Sequence, residues 1–533
     1  MRDNEALTIP GVLARAAQEF PDVEAVVDGT SRLTYAELQA RVREAARGFI
    51  ALGAEPGDRI GIWAPNSLRW IVTALGALSV GAVVVPVNSR YKGDEARWML
   101  ARSRVRTLFV EDGFLGNDYL AMLAKAAGTE AGPGMLGLPA LTAVVTYDAE
   151  PRPGARSWED FLAGAAAVPE EEAVARARAV RPDDVADILF TSGTTGRPKG
   201  AMCTHRQNVR TYQAWCGRTG LHQGDRYLIV NPFFHSFGYK AGVFACLLQA
   251  ATMVLQPVFE AGETMRLIEA EKITVLPGAP TIYISMLDAP ERARFDLSSL
   301  RLAVTGAAVV PVALVKRMRA ELFPQVLTAY GLTESCGTVT ACSLEDDDTT
   351  VATTSGRPIE GVEVVVADAK GAPVPVGEDG EILVRGHNVM LGYLDDEEAT
   401  AATVRDGVLL TGDRGRLDER GNLTITGRSK DMFVVGGFNV YPAEIEQVLA
   451  AHERVAEAAV VGVPDARLGE VGRAYVVARP GEVITPGELV AYCRERLANF
   501  KVPREVVIIA GLPRNATGKV VKAELARITP DPS

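Results

Sequence analysis

Apolar residues at Leu38, Val42, Ala45, Phe49 and Leu52 recur every three or four positions, the spacing of one helical face. The helix predicted there opens on a capping box, Thr34-Tyr35-Ala36-Glu37, in which the side chains of the threonine and the glutamate each accept the other's backbone N–H. Gly53 suits its end. Ile60 to Trp63 reads as a strand, Trp70–Ser79 as a helix and Ala82–Val87 as a buried β-branched strand. Trp70 to Val87 is uncharged, but Gly76, Gly81 and Pro86 interrupt it, so a buried helix and strand explain it better than a membrane span. Such strand–helix repetition predicts a largely parallel sheet covered by helices. Between about Gly128 and Pro182 the chain is rich in Ala, Gly, Pro and Glu and reads as surface connections with short helices. The alternation resumes at Asp187–Phe190 and runs to about Ile425.

The last hundred residues change character. Pro442 suits the first turn of a helix with Ile445, Val448, Leu449, His452 and Val455 as its apolar face. Ala458–Val463 and Ala474–Ala478 read as strands. Thr485-Pro486 opens a further helix with Leu489, Val490, Cys493 and Leu497 inward. A chain of 533 residues exceeds what one core usually holds, about 250–300 residues, so a separate compact α+β domain fits. The predicted boundary is at 428–430, between residues 1–427 and residues 431–533.

A net charge of −11 with no long basic run argues against nucleic acid as a partner, and any anionic ligand must be held by local devices such as backbone N–H groups and a few placed cations. The six cysteines form no C-x-x-C pair, which fits reduced thiols in a cytoplasmic protein. The histidines show no zinc-binding spacing. The start, Met1-Arg2-Asp3-Asn4-Glu5, lacks the apolar stretch of a signal peptide.

Ile188-Leu189-Phe190 runs into Thr191-Ser192-Gly193-Thr194-Thr195-Gly196-Arg197-Pro198-Lys199-Gly200. Glycines let a backbone approach an anion, hydroxyls donate to it and Lys199 adds charge. The spacing is not that of a Walker A loop, and by composition alone an ordinary surface turn would serve. As a ten-residue string it closely resembles the signature loop of the adenylate-forming superfamily, which includes acyl-CoA synthetases, aryl-CoA ligases, peptide-synthetase adenylation domains and beetle luciferase. Further motifs in the same order extend the resemblance over nearly the whole chain.

The resemblance implies an α/β fold: a large N-terminal domain of mainly parallel sheets with a smaller β subdomain, and a small mobile α+β C-terminal domain. It implies ATP, Mg²⁺ and coenzyme A as reactants and a small carboxylic acid as substrate. Thr191 to Gly196 and Lys199 would hold phosphates, and Gly306-Ala307-Ala308 would line the adenine edge. In Tyr330-Gly331-Leu332-Thr333-Glu334, the tyrosine would stack on adenine, Thr333 would donate to the α-phosphate and Glu334 would help hold Mg²⁺, for which a carboxylate is the right hard ligand. Asp413 in Thr411-Gly412-Asp413 would accept from the ribose hydroxyls and Arg428 would donate to them. Lys430 would be the hinge, and Gly436 and Gly437 would border the pantetheine tunnel. Lys519, closing Pro513-Arg514-Asn515-Ala516-Thr517-Gly518-Lys519, would be the catalytic lysine of adenylation.

The stretch Asn231 to Gly242 resembles the acid-pocket segment of bacterial CoA ligases of steroid-ring catabolism, which activate the propionate of a bicyclic indanedione. It has no Asp for a substrate amine. His235, Phe237, Tyr239 and Lys240 are the expected pocket residues, His235 counted also as catalytic, with Lys240 either meeting a polar group of the acid or reaching water. A medium-chain or aryl acid is the other substrate reading. Loading of a separate carrier protein, a luciferase-like oxygenase and a catalytically silent nucleotide-binding protein are the rival functions.

Overall fold

The computed structural model describes residues 5–128, 136–148, 152–192, 198–306, 312–368, 370–428, 433–440, 442–479, 481–513, 520, 522–526 and 528. Its centre is an eight-stranded sheet. Strands Arg59–Trp63, Val83–Pro86, Thr107–Val110 and Ala143–Thr146 pair in parallel there, and Val83–Pro86 also runs parallel to Val185–Ser192. Ala143–Thr146 lies in the stretch expected to be only surface connection. Its four residues carry too little periodicity to separate a strand from a loop.

The helix after the first capping box spans Tyr35–Ala51, with both reciprocal bonds of the box formed. It buries Leu38, Val42, Ala45 and Phe49. Gly76 lies so close to it that a Cβ would stand 2.8 Å from the Ala45 Cβ, which lets the helix Leu68–Ser79 pack against its backbone. A second group of strands, including the parallel pair Leu302–Gly306 and Gln325–Tyr330, carries the adenine-edge and Tyr330 motifs at its strand ends. Strands Val362–Ala367, Gly380–Gly386, Val408–Leu417 and Leu423–Arg428 form a smaller antiparallel sheet with its own apolar cluster.

The C-terminal region has a five-stranded sheet built around Val455–Asp465 and Gly469–Ala478, covered by helices Pro442–Ala450 and Pro486–Arg496. The first helix ends sooner than expected. His452 lies beyond it, and Val455 opens the long strand, where a β-branched side chain packs equally well. The architecture is α/β with a C-terminal α+β domain. No helix among the described residues is long and apolar enough to cross a membrane.

Candidate active site

Strands Val185–Ser192 and Pro198–Thr204 form an antiparallel hairpin, register Thr191 to Lys199 and Ser192 to Pro198, on either side of the glycine-rich string. Gly193, Thr194, Thr195, Gly196 and Arg197 lie outside the described residues. Thr191 Oγ1 donates to Glu334 Oε1 at 3.3 Å, so the end of the loop strand meets the Tyr-Gly-Leu-Thr-Glu motif directly. Thr333 and Glu334 begin a short 3₁₀ turn, Thr333–Ser335.

Gly331 is required where it stands, since a Cβ would lie 2.2 Å from the Gly337 carbonyl oxygen. Gly337 has φ +101°, and a Cβ there would strike Ser236 of the acid-pocket segment at 2.8 Å. The adenylate motif and the acid pocket therefore meet closely, Gly331 against the Gly337 carbonyl and Gly337 against the Ser236 side chain, and a side chain at either glycine would force them apart.

Tyr393 completes this corner, and sequence reasoning missed it. Its OH donates to Glu334 Oε1 at 2.7 Å, and Lys199 Nζ stands 5.0 Å over its ring. The two-residue strand Gly392–Tyr393 pairs with the loop hairpin. No motif flags a lone Gly-Tyr, because only sheet pairing brings it to the glutamate.

On the nucleoside side, Tyr330 OH donates to Asp413 Oδ2 at 2.6 Å. Asp413 is the register partner of Arg428 across the antiparallel strands. Gly306 pairs with Ala329, the residue before Tyr330, and a Cβ on Gly306 would meet the Ala329 carbonyl oxygen at 2.7 Å. Ala307 and Ala308 lie outside the described residues, as do Lys430 and Lys519.

His235 is exposed and caps the turn Ser236–Gly238, its Nδ1 accepting from the Phe237 N–H at 3.2 Å. That bond leaves Nε2 as the nitrogen that carries the proton in the neutral ring. Phe237 is half-buried, edge-on to Trp215. Tyr239 is fully buried against Trp70 and Phe244.

Lys240 departs from its expected place. Its side chain is fully buried and does not reach water. It sits in a π-helical turn, Tyr239–Phe244, that directs it into the interior, where its ammonium pairs with Asp187 at 2.8 Å, both side chains 0% exposed. The same Nζ lies 3.6 Å from Cys336 Sγ, and Asn208 closes the ring, donating to Asp187 at 2.6 Å and accepting from Cys336 at 3.1 Å. Burial opposes the charge on Lys240, but Asp187 together with Cys203, Cys336 and Tyr212 around it outweighs burial and holds the ammonium well above its ordinary pKa. Asp187 lies on the loop strand and Cys336 just after Glu334, so Lys240 ties three motifs together from beneath.

Strands Phe433–Val435 and Phe438–Val440 make a hairpin with Gly436-Gly437 as its two-residue turn, φ +55° and +87°, which non-glycine residues rarely adopt. Its tip approaches the large domain, since a Cβ on Gly437 would lie 3.2 Å from that of Ala279.

The chain matches AMP-binding enzyme over residues 13–394 and AMP-binding enzyme C-terminal domain over residues 444–519, and it belongs to that family. Within the family it is an acid–CoA ligase of the AMP-forming kind, with ATP and coenzyme A as reactants. It is 53% identical over 517 residues, 97% of each chain, to a Rhodococcus jostii protein named 3-[(3aS,4S,7aS)-7a-methyl-1,5-dioxo-octahydro-1H-inden-4-yl]propanoyl:CoA ligase. A Mycobacterium tuberculosis protein of the same name is 52% identical, covering 98% of this chain and 99% of that one. Among solved structures, an o-succinylbenzoate CoA synthetase double mutant from Bacillus subtilis, bound to a product analogue, superposes with TM-score 0.80 at 27% identity over 96% of this chain and 98% of that one.

Proposed function

We propose that the protein joins the propionate side chain of a bicyclic methyl-indanedione to coenzyme A, through an acyl-adenylate. The observation that carries the substrate is the near-full-length identity of 53% and 52% to two relatives named for that acid. The acid-pocket segment agrees with it: Phe237 offers apolar surface, His235 offers a donor and no aspartate awaits an amine.

The roles proposed for the residues are these. Thr191, Ser192, Gly193, Thr194, Thr195, Gly196 and Lys199 hold the phosphates. Gly306, Ala307, Ala308 and Tyr330 frame adenine, and Asp413 and Arg428 take the ribose. Glu334 would hold Mg²⁺: its Oε1 accepts from Thr191 and Tyr393, while Oε2 has no hydrogen-bond partner among the described residues. The bound cation would neutralise charge on the phosphate oxygens. The acid's carboxylate attacks the α-phosphorus and pyrophosphate leaves, with Thr333 and Lys519 donating to the oxygens that gain charge. The C-terminal domain then turns about Lys430, within a hinge at 428–430 that separates residues 1–427 from 431–533, and brings Gly436 and Gly437 to the pantetheine path. The coenzyme A thiol attacks the adenylate carbonyl and AMP is released. Lys240 and Tyr239 shape the pocket from behind rather than touching the acid. The six buried, unpaired cysteines suit a reducing cytoplasm.

A competition panel of the bicyclic propionate, octanoate, benzoate, a cinnamate and palmitate tests the substrate. The bicyclic acid is expected to have the highest kcat/KM, because a pocket that hydrogen-bonds a polar substrate group rejects analogues lacking it. A higher value for octanoate or benzoate would point to a general medium-chain or aryl ligase.

The hinge has its own test. Proline locks φ near about −65°, and a pivot must change φ and ψ. Lys430→Pro should keep pyrophosphate release with acid and MgATP while losing thioester formation. A proline variant that runs both steps at the wild-type rate places the pivot elsewhere.

A further inference from the structure

Lys501 lies in the C-terminal domain, between helix Pro486–Arg496 and strand Glu505–Ile508. Its ammonium is 2% exposed and meets two carboxylates. One is Glu444 of its own domain, at 2.6 Å. The other is Glu95, at 2.9 Å and 406 residues away, on helix Gly93–Arg102 of the large domain. Tyr91, also of the large domain, presents its ring 4.4 Å from the same nitrogen.

The surroundings bring the two domains together at this point. Ala498, fully buried, belongs to the same apolar cluster as Met99 and Leu100. Phe500 stacks on Phe438 with centroids 4.5 Å apart, and the Arg90 guanidinium stands 5.8 Å from the Phe438 ring. The orientation that joins Lys501 to Glu95 is also the one that sets the Gly436-Gly437 turn against Ala279.

A buried ion pair stabilises little unless its geometry is good, and removing one partner strands the other. Here one ammonium serves two carboxylates. Burial pushes the Glu95 carboxyl up to about 7 against the opposing pull of Lys501. The cross-domain arm is one of two bonds that share a single ammonium, which suits a contact that must form and break once per turnover.

We propose that the Lys501–Glu95 bridge is a releasable latch that holds the C-terminal domain in the orientation for thioester formation, and that both are positioning residues for the coenzyme A step. This rests on the two-step reading above. Glu444 anchors the Lys501 side chain within its own domain, so that the ammonium is already aimed when the domain arrives. A latch of this kind acts only on the population of one domain arrangement. It should leave the chemistry of adenylation alone.

The test uses the full-length enzyme, with the two half-reactions measured apart. One is pyrophosphate release with MgATP and whichever acid of the panel turns over best, without coenzyme A. The other is single-turnover thioester formation when coenzyme A meets preformed adenylate. Glu95→Gln is expected to slow the second about tenfold and raise KM for coenzyme A, with the first unchanged. Glu444→Gln, which keeps the cross-domain arm, should leave the ratio of the two rates near wild type. An unchanged ratio in Glu95→Gln, equal loss in both steps, or the same split in both variants overturns the latch. Failure of the wild type to release pyrophosphate with any acid would instead strike the ligase reading itself.

Discussion

Lys519→Ala is expected to lower adenylation by on the order of 10²–10³, the cost of removing one placed charge from a developing oxyanion. The acid's carboxylate and the α-phosphate are both negative, and further charge gathers on the phosphorane oxygens as they join. A positioned ammonium is worth most there, and it costs no reorganisation when it is already in place. Thioester formation builds its negative charge at a different atom, the carbonyl oxygen of the adenylate, after the C-terminal domain has turned. The variant should therefore still convert preformed acyl-adenylate and coenzyme A to thioester at close to the wild-type rate. Rapid-quench measurement of each half-reaction separates the two. Equal loss in both would remove Lys519 from the role given to it.

The second large effect is on stability. Lys240→Met should destabilise the protein by about 3–5 kcal/mol, because it leaves Asp187 buried with no cation beside it. Asn208 would still donate to the carboxylate, but a neutral amide cannot balance its charge. Asp187 stands four residues before Thr191 on the strand that enters the phosphate loop, so the loss should also lower pyrophosphate release. The double variant Lys240→Met, Asp187→Leu should recover most of the stability, since an apolar pair of similar size often replaces a buried ion pair at little cost. Urea denaturation of the three proteins reads the difference. A loss in Lys240→Met below about 1 kcal/mol, the ordinary worth of an exposed pair, would mean that the ion pair does not form.

Lys240 also marks the boundary of what linear reading could reach. Its sequence neighbours, three phenylalanines, a histidine and a tyrosine, suggest a pocket, and in that context a lysine reads as a ligand for the acid or as a surface charge. What decided its place was Asp187, 53 positions earlier, together with a turn wide enough to aim the side chain inward. Neither is a property of the segment itself. The capping box at Thr34 is the opposite case. Its bonds span three residues, so the pattern of side chains already contains the geometry. The helix from Pro442 falls between: its start is local, but its end depended on whether Val455 joined the helix or the long strand, which the partner strand Gly469–Ala478 settled.

The sequence by itself determined the alternation of strands and helices, the C-terminal α+β region and the order of the motifs, because each rests on side chains a few positions apart and on short-range backbone preference. It also carried the ligase class, through strings such as Thr191 to Gly200 and Tyr330 to Glu334 whose resemblance is specific. The tertiary structure alone decided that Tyr393 meets Glu334, that Tyr330 meets Asp413, that Lys240 turns to Asp187 and that Lys501 reaches across to Glu95. These contacts join residues 53 to 406 positions apart. Nothing in a stretch of chain encodes which distant partner a sheet register or a domain orientation will place beside it.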